Sequence, residues 1–326
     1  MRALITGGAG FIGSHLAEKL LEQGDDVMII DDLSSGSFDN IKHLVGNPHF
    51  GFAIETINNI TVMDRIVSEC DCIYHLAAAV GVDMVIADPV HTIETNVLGT
   101  DVVLKTANRY HKKVLLASTS EIYGRGVNTS FGETDDRLLG SVTNSRWSYA
   151  CSKSLDEFLA LAYYKQKKLP VVVCRLFNTI GPRQTGRYGM VVPRFISQAL
   201  SGEPLTVFGD GSQSRCFCNV FDVVEALMIL SDRSEAEGEV LNIGDTHDIT
   251  ITDLAKKVIK LTGSSSKIVY VPYEEAYGEG FEDMHRRKPN IEKIAEMFNW
   301  KPKYSLDDTL LTMIEYERGL RSKPVT

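Results

Sequence analysis

Apolar residues in the first half of the chain fall into two alternating patterns. Runs without polar interruption predict strands buried on both faces: Ala3-Leu4-Ile5, Val27-Met28-Ile29-Ile30, Cys72-Ile73-Tyr74-His75-Leu76, Val114-Leu115-Leu116-Ala117 and Val171-Val172-Val173-Cys174-Arg175. Between them, apolar positions recurring every three or four residues predict helices over 12–21, 92–110 and 148–166. The last of these carries Leu155, Phe158, Leu159 and Ala162 on one face, which suits core packing or an interface. Strands separated by helices imply a parallel sheet covered on both sides, a Rossmann-type doubly wound α/β fold. After Phe177 the texture changes. A turn-rich loop, Asn178-Thr179-Ile180-Gly181-Pro182-Arg183-Gln184, leads into a stretch to 219 mixing Gly, Pro and Arg with short apolar runs. A helix over 223–230 and a strand over 240–243 follow, then more helices and loops. The expected division is a core over 1–177, with returns near 220–250, and a smaller interleaved C-terminal lobe drawn mainly from 178–326.

Composition narrows the class. The 326 residues carry 34 basic and 43 acidic side chains, a net charge of −9, with 44% hydrophobic residues. That apolar content excludes a disordered chain. The acidic balance argues against a nucleic-acid partner, though not against a small phosphorylated ligand met by a few basic groups. No run approaches the ~18 apolar residues of a membrane span, and the N-terminus lacks a basic leader with an apolar stretch. The expectation is a cytoplasmic protein with no membrane partner. The six cysteines, Cys70, Cys72, Cys151, Cys174, Cys216 and Cys218, lack zinc-site spacing and are expected to be reduced, small and buried. No metal site is expected.

Candidate chemistry begins at Thr6-Gly7-Gly8-Ala9-Gly10-Phe11-Ile12-Gly13, a glycine loop that follows the first strand and opens the first helix. Gly7 permits the turn, Gly10 lets the Phe11 and Ile12 backbone approach a pyrophosphate, and Gly13 permits close helix packing. Asp31 ends the second strand eighteen residues after Gly13. A carboxylate there can accept from both ribose hydroxyls of NAD and repels the 2′-phosphate of NADP. Tyr149 and Lys153, four apart on a predicted helix, share a face. A tyrosine is a poor base at neutral pH, and an adjacent ammonium favours its phenolate.

With these motifs the chain resembles the extended short-chain dehydrogenase/reductase family, in its group of NAD-dependent nucleotide-sugar epimerases, dehydratases and decarboxylases. The resemblance runs through Tyr74-His75-Leu76-Ala77-Ala78, Asn96-Val97-Leu98-Gly99-Thr100, Ser118-Thr119-Ser120-Glu121-Ile122-Tyr123-Gly124, Arg175-Leu176-Phe177-Asn178, Val192-Pro193-Arg194-Phe195 and Gly209-Asp210-Gly211-Ser212-Gln213-Ser214-Arg215. It implies that Leu76, Ala77, Ala78, Asn96 and Ser118 join the glycine loop, Asp31, Tyr149 and Lys153 around the cofactor. It implies that Ser118 to Glu121 line the sugar with Thr119 on its 4-OH, and that Asn178 and Arg215 hold the diphosphate. Val192, Arg194 and Phe208 complete the substrate side. The family often has a carboxylate where Thr56 stands, so that contact near the adenine is missing.

The shared first step would be oxidation at sugar C4, with Tyr149 taking the hydroxyl proton. Ser120 stands where dTDP-sugar 4,6-dehydratases carry an aspartate, which disfavours dehydration. Thr119-Ser120-Glu121 also resembles GDP-mannose 4,6-dehydratases, but those resemble NADP enzymes, which Asp31 disfavours. Arg146-Trp147-Ser148-Tyr149-Ala150-Cys151-Ser152-Lys153, Tyr277-Gly278-Glu279-Gly280-Phe281-Glu282-Asp283 and Arg286-Arg287-Lys288-Pro289 resemble UDP-apiose synthases and UDP-glucuronate decarboxylases. In that group the residues matching Glu121 and Arg287 act near the sugar carboxylate, and Arg287 would position it and help protonate C5. The leading expectation is therefore a UDP-glucuronate decarboxylase. UDP-sugar 4-epimerisation is the alternative, and a binding-only sensor or scaffold the third reading, disfavoured by the retained Thr119, Glu121, Tyr149 and Lys153. By resemblance, the helices over 92–110 and 148–166 form the interface of a homodimer. His75 and His15 are expected to be structural.

Overall fold

The structure is a computed structural model and describes residues 1–126, 128–186, 189–277, 284 and 286–322. Residues 278–283 of the Tyr277-to-Asp283 motif lie outside the described residues. The strands are β1 (Arg2–Thr6), β2 (Asp26–Asp31), β3 (Phe50–Ile54), β4 (Cys72–His75), β5 (Lys113–Thr119), β6 (Val171–Leu176), β7 (Thr179–Ile180), β8 (Leu205–Phe208), β9 (Ser214–Cys216), β10 (Cys218–Asn219), β11 (Val240–Ile243), β12 (Asp248–Thr250), β13 (Ile268–Val271) and β14 (Arg286–Arg287). Seven of them form one sheet in the order β11-β6-β5-β4-β1-β2-β3. Every pairing in it is parallel. The order reverses between β1 and β4, and the crevice outside their carboxyl ends is where a doubly wound sheet receives its ligand.

The helices that position the site are α1 (Phe11–Glu22), α2 (Ile60–Glu69), α3 (Val82–Ala87), α4 (Pro89–Ile93), α5 (Gly99–Tyr110), α6 (Ser148–Lys167), α7 (Val191–Ser201), α8 (Val220–Ser231) and α9 (Ile251–Thr262). On one sheet face Leu16 and Leu20 of α1 pack with Val223 and Leu227 of α8. On the other, Met63 of α2, Val103 and Leu104 of α5 and Ala160 of α6 cover Ile73, Leu116 and Val173. A further core joins Phe195 of α7 to Leu254 and Val258 of α9 and to Leu310. Among the described residues, no helix is long and apolar enough to cross a membrane.

Three expectations need correction, and one strand was not predicted. The edge strand β3 escapes the sequence pattern because it is only half covered, with Phe52 and Ile54 exposed. The helix expected over 92–110 starts at Pro89, where Asp88 Oδ1 caps the His91 N–H at 3.0 Å. It is also interrupted by a π-helical turn over Glu94–Leu98. The extra residue in that turn directs Asn96 inward. On α6 only part of the apolar face packs on the core: Leu159 does, Leu155 and Phe158 are 51% and 60% exposed, and Tyr149, Lys153, Asp156 and Glu157 are buried. Periodicity misses the rest of the inner face because it is polar and internally paired. Finally, Cys151 is exposed, on the outer side of the same helix, while the other five cysteines are buried.

Candidate active site

The crevice at the β1/β4 reversal opens into one cleft running from the glycine loop to the C-terminal lobe. At its floor the glycine loop is closed on itself. A Cβ at Gly13 would stand 2.3 Å from the Gly7 carbonyl oxygen, and Gly7 itself has φ +71° with Ala77 packed against it. The first turn of α1 faces the cleft through Phe11, Ile12 and Gly13, and its N-cap, Gly10, offers no side-chain cap. Helix N–H groups arranged this way accept an anion. Asp31 ends β2 at the cleft, its two oxygens accepting from Ala9 N–H at 2.9 Å and Leu33 N–H at 2.8 Å. Burial pushes its pKa up against those two hydrogen bonds. Leu76, Ala77, Ala78 and Ser118 line the wall between loop and helix α6.

Tyr149 and Lys153 face the cleft one turn apart on α6, both buried. Burial, with the Glu121 charge behind it, pushes the Tyr149 phenol up; a hydrogen bond from Thr119 and the charge of Arg287 pull the other way. Lys153 Nζ donates to Asp156 Oδ2 at 3.2 Å. Glu121 follows β5 on a short 3-10 turn over Ser120–Tyr123, its N–H held by Thr119 Oγ1 at 3.2 Å. Its carboxylate accepts from Arg146 Nη1 at 2.5 Å and from Arg287 Nη1 at 3.5 Å. Burial alone would raise its pKa, but the charges of Arg146, Arg287 and, further off, Arg215 outweigh that and hold it at about 2. Glu121 is therefore an ionised anchor at neutral pH and no proton donor.

The two lobe arginines arrive together because β14 pairs with β9 in parallel, putting Arg287 opposite Arg215. Arg287 Nη1 also reaches Asn178 Oδ1 at 3.4 Å. Behind β5, a buried network fixes the floor: Ser118 Oγ donates to Glu157, Glu157 binds Arg175 through both oxygens, and Arg175 donates to Tyr123 OH. At the far end the Arg194 guanidinium lies 4.0 Å over the Phe208 ring, beside Val192, a flat platform suited to a planar base.

Asn96 is the one expected cofactor residue that does not line the cleft. Its Oδ1 accepts from Ala79 N–H at 2.9 Å, and its Nδ2 donates to the Ala79 carbonyl and to Ser152 Oγ. It ties the cleft wall to α6 from behind. His75 and His15 are both buried; His15 donates to the Pro182 carbonyl at 3.0 Å and packs edge-on against Phe221.

A sequence profile described as GDP-mannose 4,6 dehydratase matches residues 4–313. The chain belongs to this family. Within the GDP-mannose 4,6-dehydratase family, it is 44% identical over 323 residues to a UDP-N-acetyl-alpha-D-glucosaminuronate decarboxylase of Bacillus cytotoxicus, covering 98% of this chain and 99% of that one. It is 39% identical to UDP-glucuronic acid decarboxylase 4 of Arabidopsis thaliana, covering 97% of this chain and 68% of that protein. Its fold matches that of a UDP-glucuronic acid 4-epimerase from Bacillus cereus, solved with UDP-glucuronic acid and NAD, at TM-score 0.88, 30% identity, and coverage of 98% and 100%. Both sequence relatives are named as UDP-uronate decarboxylases, and the solved structure as a 4-epimerase.

Sequence reading gave no role to two residues that the cleft brings forward. Arg146, 2% exposed, is the tighter partner of Glu121. Its signal was its position three residues before Tyr149. Glu55, beside Thr56 and Ile57 on the cleft wall, has its carboxylate bonded to Thr56 N–H and Asn59 Nδ2. It stands one residue before the position at which the family carboxylate is missing.

Proposed function

We propose that this protein is an NAD-dependent UDP-uronate decarboxylase. One observation carries the reading: the guanidiniums of Arg146 and Arg287 both meet the single Glu121 carboxylate beside Tyr149, with Arg215 opposite Arg287 in the β14–β9 pair. The excess positive charge suits a sugar that brings a carboxylate of its own as well as a diphosphate. The decarboxylase names of the similar proteins support it.

The glycine loop, the open first turn of α1 and the Asp31 carboxylate fit NAD, with Gly7, Gly10, Phe11, Ile12 and Gly13 at the pyrophosphate and Asp31 at the ribose. Leu76, Ala77, Ala78 and Ser118 would flank the nicotinamide half. When bound, NAD supplies a hydride acceptor for C4. Tyr149 would accept the proton of the 4-OH, with Thr119 bonded to it, and Lys153 would stabilise the phenolate. With C4 as a ketone, the uronate is a β-keto acid. Its C5–C6 bond breaks, CO₂ leaves, and the electron pair passes to the C4 oxygen. Arg287 holds the carboxylate before it leaves and helps deliver a proton to C5, while Arg146 and Glu121 fix Arg287 in place. Ser120 lines the sugar. Asn178 and Arg215 bind the diphosphate, and Val192, Arg194 and Phe208 the uracil.

The second reading, 4-epimerisation, is favoured by the likeness to the Bacillus cereus 4-epimerase. Incubation with NAD and UDP-glucuronate or UDP-N-acetylglucosaminuronate, followed by NMR, separates the two. CO₂ with a UDP-pentose, its C4 having taken the hydride back, or with a UDP-4-keto-pentose and one equivalent of NADH, supports decarboxylation. A C4-inverted uronate with CO₂ retained supports epimerisation, and no change with no NADH signal supports a sensor or scaffold. Arg287→Ala is expected to abolish CO₂ release; unchanged release would refute its role. The exposed Val90, Ile93, Leu155 and Phe158 on α4 and α6 favour a homodimer, and a monomeric mass by sedimentation would exclude it.

A further inference from the structure

The roles given to Tyr149 and Lys153 leave a second buried carboxylate on their helix unexplained. Asp156 lies one turn beyond Lys153 and two beyond Tyr149 on the buried face of α6. Its Oδ2 accepts from Lys153 Nζ at 3.2 Å, its Oδ1 is buried without a hydrogen-bond partner, and Thr100 stands beside it. Thr100 Oγ1 lies 3.0 Å from His75 Nε2, and His75 Nδ1 lies 2.8 Å from Thr6 Oγ1. Thr6 Oγ1 accepts the Ala77 N–H at 3.2 Å. Thr6, His75, Thr100, Lys153 and Asp156 are all buried.

The proton positions in this chain follow from the chemistry of the groups. Burial pushes the Asp156 carboxyl up and the Lys153 ammonium opposes that; beside the ionised, accepting carboxylate, the Thr100 proton turns toward Asp156 and Thr100 accepts from His75 Nε2–H. His75 Nδ1 is then an acceptor and takes the Thr6 proton, which leaves Thr6 to accept from Ala77. Every donor points the same way, toward Asp156. His75 is neutral, as this tautomer demands: burial and the Lys153 charge push it down to about 3. The chain begins at Ala77, against Gly7 of the glycine loop, and ends on the ammonium beside Tyr149.

We propose that Asp156 is a positioning residue acting through Lys153: paired with the ammonium, its negative charge offsets what Lys153 does for the phenolate and so sets how readily Tyr149 gives up its proton. The inference rests on the reading of Tyr149 and Lys153 given above. Other charges near the pair are accounted for. Glu121 and Arg287 face Tyr149, with Arg146 paired to Glu121. Glu157 is paired to Arg175 of β6. On the α4-to-α5 segment, His91, Glu94, Asp101, Lys105 and Arg109 lie exposed or half-exposed.

The test is the pH dependence of kcat in the Asp156→Asn holoenzyme, measured on whichever uronate is turned over. Removing a negative charge about 10 Å from the phenol is expected to move the acid limb down by about half to one pH unit. Asp156→Glu, which keeps the charge, is expected to leave the limb in place. Asp156→Ser serves if the asparagine variant does not fold, with the same expected shift. An unchanged or upward-moving limb in a folded, neutral variant overturns the proposal. Turnover by Tyr149→Phe at the wild-type rate instead overturns the underlying reading of the site. Nitrogen-15 chemical shifts give an independent check: the wild-type protein should show His75 as the Nε2–H tautomer, and the Nδ1–H tautomer would break the chain.

Discussion

Substituting Arg146 by methionine removes the nearer guanidinium from Glu121 and leaves Arg287 at 3.5 Å. The folded protein holds the Glu121 carboxyl at about 2, where an unperturbed glutamate titrates at 4.5. At about 1.4 kcal/mol per pH unit, that net shift is worth about 3 kcal/mol of stability at pH 7, left over after the three arginines have offset the cost of burial. Arg146, as the closest, should account for about 2 kcal/mol of this, or about 3 °C in Tm for a chain of this length. The sign of the pH dependence follows from the depressed pKa. The contribution is present in full above about pH 4.5 and fades as pH falls toward 2, so the penalty of Arg146→Met should be constant from pH 7 to 5 and shrink below. Thermal unfolding can be followed by tryptophan fluorescence, since Trp147 and Trp300 are both buried. Arg146→Met, Glu121→Gln and the double variant complete a cycle, with an expected coupling of about 2 kcal/mol. Additive single effects, or a penalty that grows toward low pH, would refute the electrostatic argument.

Tyr149→Phe should lower kcat by about 10²- to 10⁴-fold while leaving NAD binding, followed by fluorescence titration, close to normal. Asp31→Asn should weaken NAD binding and narrow the preference over NADP, because the carboxylate that accepts the ribose hydroxyls and repels a 2′-phosphate is lost; an unchanged NAD-to-NADP ratio would contradict this. Gly13→Ala would force its Cβ to 2.3 Å from the Gly7 carbonyl, so the loop must open; loss of NAD affinity together with a lower Tm is the expected calorimetric result.

The sheet was legible wherever strands are buried on both faces. Ala3 to Ile5 and Val171 to Cys174 announce themselves as uninterrupted apolar runs, and the structure buries all of them. The rim was not: β3 is half exposed, and β9 and β14 are too short for any pattern. The glycine loop and the Tyr149/Lys153 pair were readable because their chemistry depends on local spacing. Arg146 offered only its place three residues before Tyr149, since its role comes from meeting Glu121 across 25 residues. The buried polar face of α6 was not legible for a related reason. Hydrophobic periodicity assumes that what is inside is apolar, and here Lys153, Asp156 and Glu157 are inside because each finds its partner there. The break at Glu94–Leu98 was invisible too, because a π turn leaves the composition of a helix unchanged.

The last strand of the central sheet has a consequence for how the chain is made. β11 pairs with β6 only after more than sixty intervening residues have emerged, and α8, which covers α1, comes out just before it. A nascent chain that has reached residue 177 therefore exposes the open edge of β6 and the bare apolar side of α1 at once, the two surfaces most prone to self-association. Ribosome-bound fragments ending before residue 243 should be captured by chaperones and cut by protease, and protection should rise sharply once β11 has cleared the exit tunnel.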